Sequence, residues 1–241
     1  NVVFVVYDGI VLLDLVGPLH VFSRACADGS PELAYNTHIA SVSGGTVQTN
    51  TVAQIDSVPL TQLCDPSLGF EIDTLVIVGG DGANVSQTDP QLVEEVAALS
   101  NRSRRTCSVC CGAFVLAAAG LLDNRRAVTH WEDCKLLAAR FPRVNVEVDP
   151  IFVKDGSMWT SAGITSGIDM ALALVREDLG PRSALHLARS LVTPMIRSAG
   201  QSQFSADLDR QTRDAKGEFA DLHDWLRKNL EISISVPDMA E

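Results

Sequence analysis

The chain has 241 residues, 46% of them hydrophobic and 5% aromatic, with 19 Lys and Arg against 30 Asp and Glu for a formal net charge of −11. A domain holds about 100–200 residues, so this length suits one large α/β domain with an appendage, and the apolar content excludes a disordered chain. The acidic balance opposes nucleic-acid binding by the chain as a whole, because a polyanion is drawn by clustered Lys and Arg.

Apolar, β-branched runs alternate with helical patterns along the chain. Residues 2–6 read as a strand, 12–25 as a helix, 37–42 as a strand, and 43–55 as an antiparallel edge with Gly44-Gly45 as turn chemistry. A strand at 74–78, a helix at 91–99, a strand at 106–109 and helices near 112–119 and 132–140 follow. Next come a strand-like 145–148 and a pair at 152–153 and 158–160 around a Lys-Asp-Gly-Ser turn, then helices at 168–177 and 183–191. Continuous apolar strands separated by helices imply a mostly parallel sheet covered on both faces, a three-layer, doubly wound α/β fold. Residues 199–216 are polar and linker-like, 218–230 carry Phe219, Leu222, Trp225 and Leu226 at helical spacing, and 235–241 look like a helix start. A helix that opens at the chain end implies that the natural protein continues beyond Glu241.

Six cysteines, three of them within 107–111, are too sparse for a disulfide scaffold and point to a reducing cytoplasm with thiol chemistry. The 2–6 run is short and lacks a basic flank, so it reads as a buried strand and not a signal peptide. No stretch approaches the roughly 18 apolar residues of a membrane helix.

The segment Thr106-Cys107-Ser108-Val109-Cys110-Cys111-Gly112 has the form of a nucleophile elbow. A strand arrives, Cys110 stands at its end, small Ser108 and Gly112 flank it two positions away, and a helix begins. A thiol there faces helical N–H groups that favour the thiolate and can hold an oxyanion; the plain alternative is a buried Cys that packs as a small hydrophobe. Cys107 and Cys110 also fit the Cys-x-x-Cys spacing of a redox pair or half a zinc site, but no second pair follows, so no metal is expected. Gly79, Gly80 and Asp81 follow the 74–78 strand, where open α/β sheets bind ligands, and the alternative is a plain tight turn. No nucleotide motif is present, and no cofactor is expected. Asp14 and His20, near the junction of the first strand and first helix, are candidates to face Cys110, with capping or packing as their plain roles; His130, before another helix, is the other candidate base.

Four ordered motifs, DLVGP at 14–18, IVGGDG at 77–82, SVCCGAFVLAAAGLLDNRRAVTHW at 108–131 and TSAGITSGIDMALALV at 160–175, together resemble the PfpI-like branch of the class I glutamine amidotransferase-like superfamily. That resemblance implies a flavodoxin-like fold over about 1–198, a linker at 199–216 and, at 217–241, the opening of an AraC-type helix-turn-helix DNA-binding domain. By position, Cys110 is similar to the elbow nucleophile, and the N–H groups of Cys111 and Gly80 to an oxyanion hole. Asp14 matches the acid that isocyanide hydratases place beside their nucleophile, and His130 falls where some members hold a His. Two positions depart from the pattern: Cys111 stands where Thr, Ser or His is usual, and His20 where many members carry a carboxylate. Gly79, Gly80, Asp81, Cys111, Gly112 and His20 are the expected ligand-binding set. The resemblance implies the sensory and dimerisation domain of an AraC-family regulator, with a small-molecule effector and with DNA bound through residues beyond this chain. A cysteine-nucleophile enzyme of the isocyanide hydratase or amidohydrolase type is the alternative.

Overall fold

The computed structural model describes residues 1–64, 69–193, 222 and 225–227. The chain divides into two units, Asn1–Gln203 and Phe204–Glu241. In the second, residues 222 and 225–227 are helical, inside the helix expected at 218–230. The expected linker and the expected helix start at 235–241 lie outside the described residues.

The first unit is built on Val2–Val5 (β1), Leu12–Arg24 (α1), Thr37–Ser41 (β2), Gly45–Gln48 (β3), Gln54–Pro59 (β4), Thr61–Cys64 (α2), Thr74–Ile77 (β5), Ala83–Ser86 (α3) and Pro90–Ser100 (α4). Arg105–Val109 (β6), Gly112–Ala118 (α5), Arg126–Ala127 (β7), Cys134–Arg140 (α6), Asn145–Val146 (β8), Phe152–Asp155 (β9), Met158–Ser161 (β10) and Thr165–Ser190 (α7) complete it. The main sheet runs β3-β4-β2-β1-β5-β6-β10-β9. Its interior pairs are parallel, and only β3–β4 and β9–β10 are antiparallel. Every residue of β1, β5, β6 and β10 is buried, which is the burial a continuous Val/Ile/Leu run predicts when helices cover both faces. Chain order reverses around β1 and β5, so the crevice beyond their carboxyl ends is the ligand position of a doubly wound sheet.

Three local expectations shift. The β3–β4 hairpin turns at residues 49–53, while Gly44-Gly45 joins β2 to β3. β8 does not join the main sheet; it pairs with β7 in a separate two-stranded ladder. The two C-terminal helices abut in α7 at Gly180, whose φ of 85° breaks the helix just before Pro181. α1 lies along α7, and Gly17 makes that approach possible: a Cβ there would stand 2.9 Å from Ile168 Cγ1.

Candidate functional site

The structure gathers four chain segments at the carboxyl edge around Cys110. Strand β6 delivers Cys110 with φ 52°, a left-handed conformation that is uncommon for a residue bearing Cβ. Hydrogen bonds on both sides hold it there: its N–H donates to the Ser161 carbonyl at 2.9 Å, and its own carbonyl accepts from Thr129 Oγ1 at 2.9 Å. Such strain is of order 1–3 kcal/mol and persists only where the surroundings over-determine it.

Glycines wall the elbow. A Cβ on Gly163 would lie 2.3 Å from Cys110 Cβ and 2.8 Å from its sulfur, and one on Gly79 would lie 2.7 Å from Cys110 Cβ. A Cβ on Gly112 would stand 2.3 Å from the Ile77 carbonyl oxygen, so that position admits only glycine beside β5. Gly80, with φ 147°, passes equally close to the Gly9 carbonyl. Gly79, Gly80 and Gly112 therefore have a steric reason to be small, and Gly163, which local patterning around Cys110 does not single out, is as tightly confined as Gly79 and Gly112.

Asp14 sits in the first turn of α1, fully buried. Its Oδ1 accepts from the Ile164 N–H at 2.5 Å, and Oδ2 lacks a hydrogen bond of good geometry. Burial pushes its carboxyl from 3.8 up to about 6, against the Ile164 N–H, the Cys110 thiol and the charge of His130, which pull it down. Ile164 is itself strained, with φ 53° and ψ −120°.

Contact with the Cys111 thiol, burial and the Asp14 charge hold the Cys110 thiol far above the ordinary thiol range. The Cys111 backbone N–H acts the other way and is outweighed, as is the thiolate-favouring effect expected from the start of α5. At neutral pH the shared proton rests on sulfur beside a mostly ionised carboxylate. Such a pair can hand the proton on as the sulfur forms a bond, and it does not favour a free thiolate.

Cys111 is partly exposed, and its sulfur donates to Asp133 Oδ2 at 3.1 Å. The Tyr7 hydroxyl donates to the Val78 carbonyl at 2.5 Å; burial and then the charges of Cys111, Cys110 and Asp14 push its pKa up. His130 is partly exposed, with Nδ1 3.7 Å from Glu132 Oε2. Together with Trp131, Gly163 and Ile164 it lines a cavity of about 160 Å³. His130 and Asp14 thus border the same Gly163–Ile164 strip. Asp81 and His20 are exposed, His20 late in α1, and no hydrogen bond among the described residues joins the His20 or Asp81 side chain to Cys110. Larger hollows, of about 720 and 490 Å³, lie at residues 69–73 and 26–33; neither is lined by a group of the elbow, so chemistry and not size locates the site.

The sequence profile of the DJ-1/PfpI family matches residues 1–177, covering the sheet, the elbow and the first part of α7. The chain belongs to the DJ-1/PfpI family. Among its relatives is an isonitrile hydratase of Pseudomonas putida, 30% identical over 75% of this chain and 73% of that protein. The HTH-type transcriptional regulator CdhR of Pseudomonas aeruginosa is 32% identical over 76% of this chain. The solved structure of an AraC family transcriptional regulator from Pseudomonas putida superposes with a TM-score of 0.68 at 20% identity, over 79% of this chain and 98% of that one, a likeness of fold. A further HTH-type regulator aligns over 98% of this chain at 26% identity. The chain spans 51% and 62% of the lengths of these two sequence-matched regulators. The DJ-1/PfpI relatives thus include both HTH-type regulators and an enzyme. No helix among the described residues is long and apolar enough to cross a membrane.

Proposed function

We propose that this chain is the ligand-sensing and dimerisation portion of an AraC-type transcriptional regulator acting in the cytoplasm. On this reading residues 1–198 are the sensor, 199–216 the linker and 217–241 the opening of the DNA-binding domain. The observation that carries it is the extent of the match: the regulator alignment runs over 98% of this chain and so takes in the segment after α7, whereas the isonitrile hydratase match covers 75%. The acidic balance fits a sensor that leaves DNA contact to residues elsewhere.

A small effector enters beside Cys110, bordered by Gly79, Gly80, Cys111, Gly112 and His130. To regulate, it must bind one conformation better than another. α7 begins one residue after Ile164, which Asp14 holds, so a ligand that alters the Cys110–Asp14 pair acts directly on the start of that helix. The test is a gel-shift assay with the natural full-length protein and its own promoter. The expected result is sequence-specific retardation that a small metabolite changes; no specific binding under any condition contradicts the proposal.

A second reading rests on the buried Cys110–Asp14 pair together with the isonitrile hydratase relative. In it the Cys110 sulfur adds to the terminal carbon of an isonitrile while its proton passes through Asp14 to that carbon, giving a thioimidate. Water then adds, the C–S bond breaks, and a formamide leaves as the thiol is restored. Turnover of an isonitrile by the wild-type chain and its loss in Cys110→Ala supports this reading; equal rates in both proteins exclude it.

A further inference from the structure

The Cys111 thiol forms no bond to substrate in the chemistry assigned to Cys110, yet it is the more accessible of the two. The sulfurs of these consecutive residues lie 3.8 Å apart. Each has a carboxylate at hand: Asp133 Oδ2 accepts from Cys111, and Asp14 lies beside Cys110. Cys107 and Cys134 are buried, whereas Cys111 is partly exposed.

Two other uses of such a pair fit less well. A disulfide needs the sulfurs at about 2.05 Å and a ring closed across the single elbow peptide. The bond from Thr129 holds that peptide's carbonyl, and the bond from the Cys110 N–H to Ser161 holds the residue on its other side in the left-handed turn. A structural zinc site needs four ligands, and no group of three or more His, Cys, Asp or Glu residues suited to a metal gathers among the described residues. A pair of sulfurs at non-bonded contact, with no third protein ligand, instead suits a single bridging atom that brings its own third substituent.

We propose that Cys110 and Cys111 form a chelating dithiol site for organic compounds of trivalent arsenic. The reaction is a condensation of R–As=O with the two thiols. Two As–S bonds form, two S–H bonds break, and the arsenic–oxygen bond is given up, with both protons leaving on that oxygen as water. Arsenic stays trivalent, so no oxidant or reductant takes part. Nor is a free thiolate needed, because each thiol proton is handed on as its sulfur binds; Asp133 and Asp14 stand where those two transfers occur. The first bond forms at the accessible Cys111, and closure onto Cys110 takes place beside Gly163, where an added Cβ would lie 2.8 Å from the Cys110 sulfur. The site is a property of this unit and stands whether or not the chain governs DNA binding.

The test is titration of the reduced full chain with phenylarsine oxide, read by intact mass and by mapping of the modified cysteines. One phenylarsenic group per chain, gained with loss of one water, is expected. Neither Cys110 nor Cys111 should then be open to alkylation, and the group should survive excess monothiol but leave to a small dithiol. Because the second As–S bond is intramolecular, Cys111→Ser is expected to lower retention by roughly 100-fold or more. Cys26→Ser and Cys134→Ser should bind as the wild type does. Arsenic found on other cysteines of the wild type, both elbow thiols still alkylated at saturation, or full retention in Cys111→Ser overturns the proposal. The wild-type mapping decides the matter even if a variant folds poorly.

Discussion

The two ends of the central strands hold carboxylates in opposite electrostatic conditions. At the amino edge, Arg105, with only 4% of its side chain exposed, makes a bidentate pair with Asp178 of α7 at 2.5 and 3.0 Å. Tyr35 donates to the same carboxylate at 2.7 Å, and Arg104 bridges Asp178 and Asp73. Burial alone would raise Asp178, but the hydrogen bonds from Arg105, Tyr35 and Arg104 outweigh it and hold its pKa below the usual carboxylate range. At the carboxyl edge Asp14 is more deeply buried, has one backbone donor and shares its surroundings with a thiol, and its pKa rises. α7 begins beside the strained edge and reaches the satisfied one thirteen residues later, at Asp178. The satisfied edge fastens this helix, and the other leaves the buried Asp14 Oδ2 without a hydrogen bond of good geometry. The difference separates a structural ion network from a candidate functional site even though both perturb pKa values.

The largest expected effect comes from breaking the amino edge. Asp178→Ala leaves the Arg105 guanidinium buried without its main partner, and a loss of about 3–5 kcal/mol in urea unfolding is expected. A loss under 1 kcal/mol would mean that water reaches Arg105 freely. Gly163→Ala strikes the other edge: its φ of 92° disfavours a side chain, and the added Cβ would overlap Cys110. Strain and overpacking together predict a loss of about 2–4 kcal/mol, checked by the same unfolding measurement.

A smaller effect carries opposite signs at the two edges. The lowered pKa values of Asp73 and Asp178 contribute stability that is present above the unfolded carboxylate value and lost as pH falls through the folded one. The raised pKa of Asp14 does the reverse: its contribution is full below 3.8 and is lost as pH rises through about 6. Asp14→Asn keeps an acceptor for the Ile164 N–H and removes the buried charge. It should therefore gain on the wild type between pH 4 and 7, by up to about 3 kcal/mol. A stability difference that does not change with pH would show that Asp14 is not held up in the folded protein.

The elbow was legible in the sequence because it is local: an apolar strand, a Cys at its end and small residues two positions to either side all lie within one short segment. The parallel sheet was legible for a similar reason, since its strands are continuous apolar runs. Gly163, Ile164 and Asp133 reach Cys110, Asp14 and Cys111 only through the fold, and no spacing near residue 110 announces them. Asp14 and His20 stand six positions apart in one short segment, yet at roughly 100° per residue that spacing sets them on different faces of α1. One is buried and the other exposed. The β7–β8 ladder has two residues in each strand, too short for any alternation to register.

The Cys110 thiol is buried and protonated and shares its surroundings with Asp14. The most direct test is the pH dependence of Cys110 alkylation by iodoacetamide in the wild type, resolved by peptide mapping, with Asp14→Asn alongside. Slow modification at neutral pH is expected, with a rate still rising at pH 10 and a shift of the curve to lower pH when the Asp14 charge is removed. A plateau reached below the ordinary thiol pKa of about 8.5, unchanged in Asp14→Asn, would contradict it.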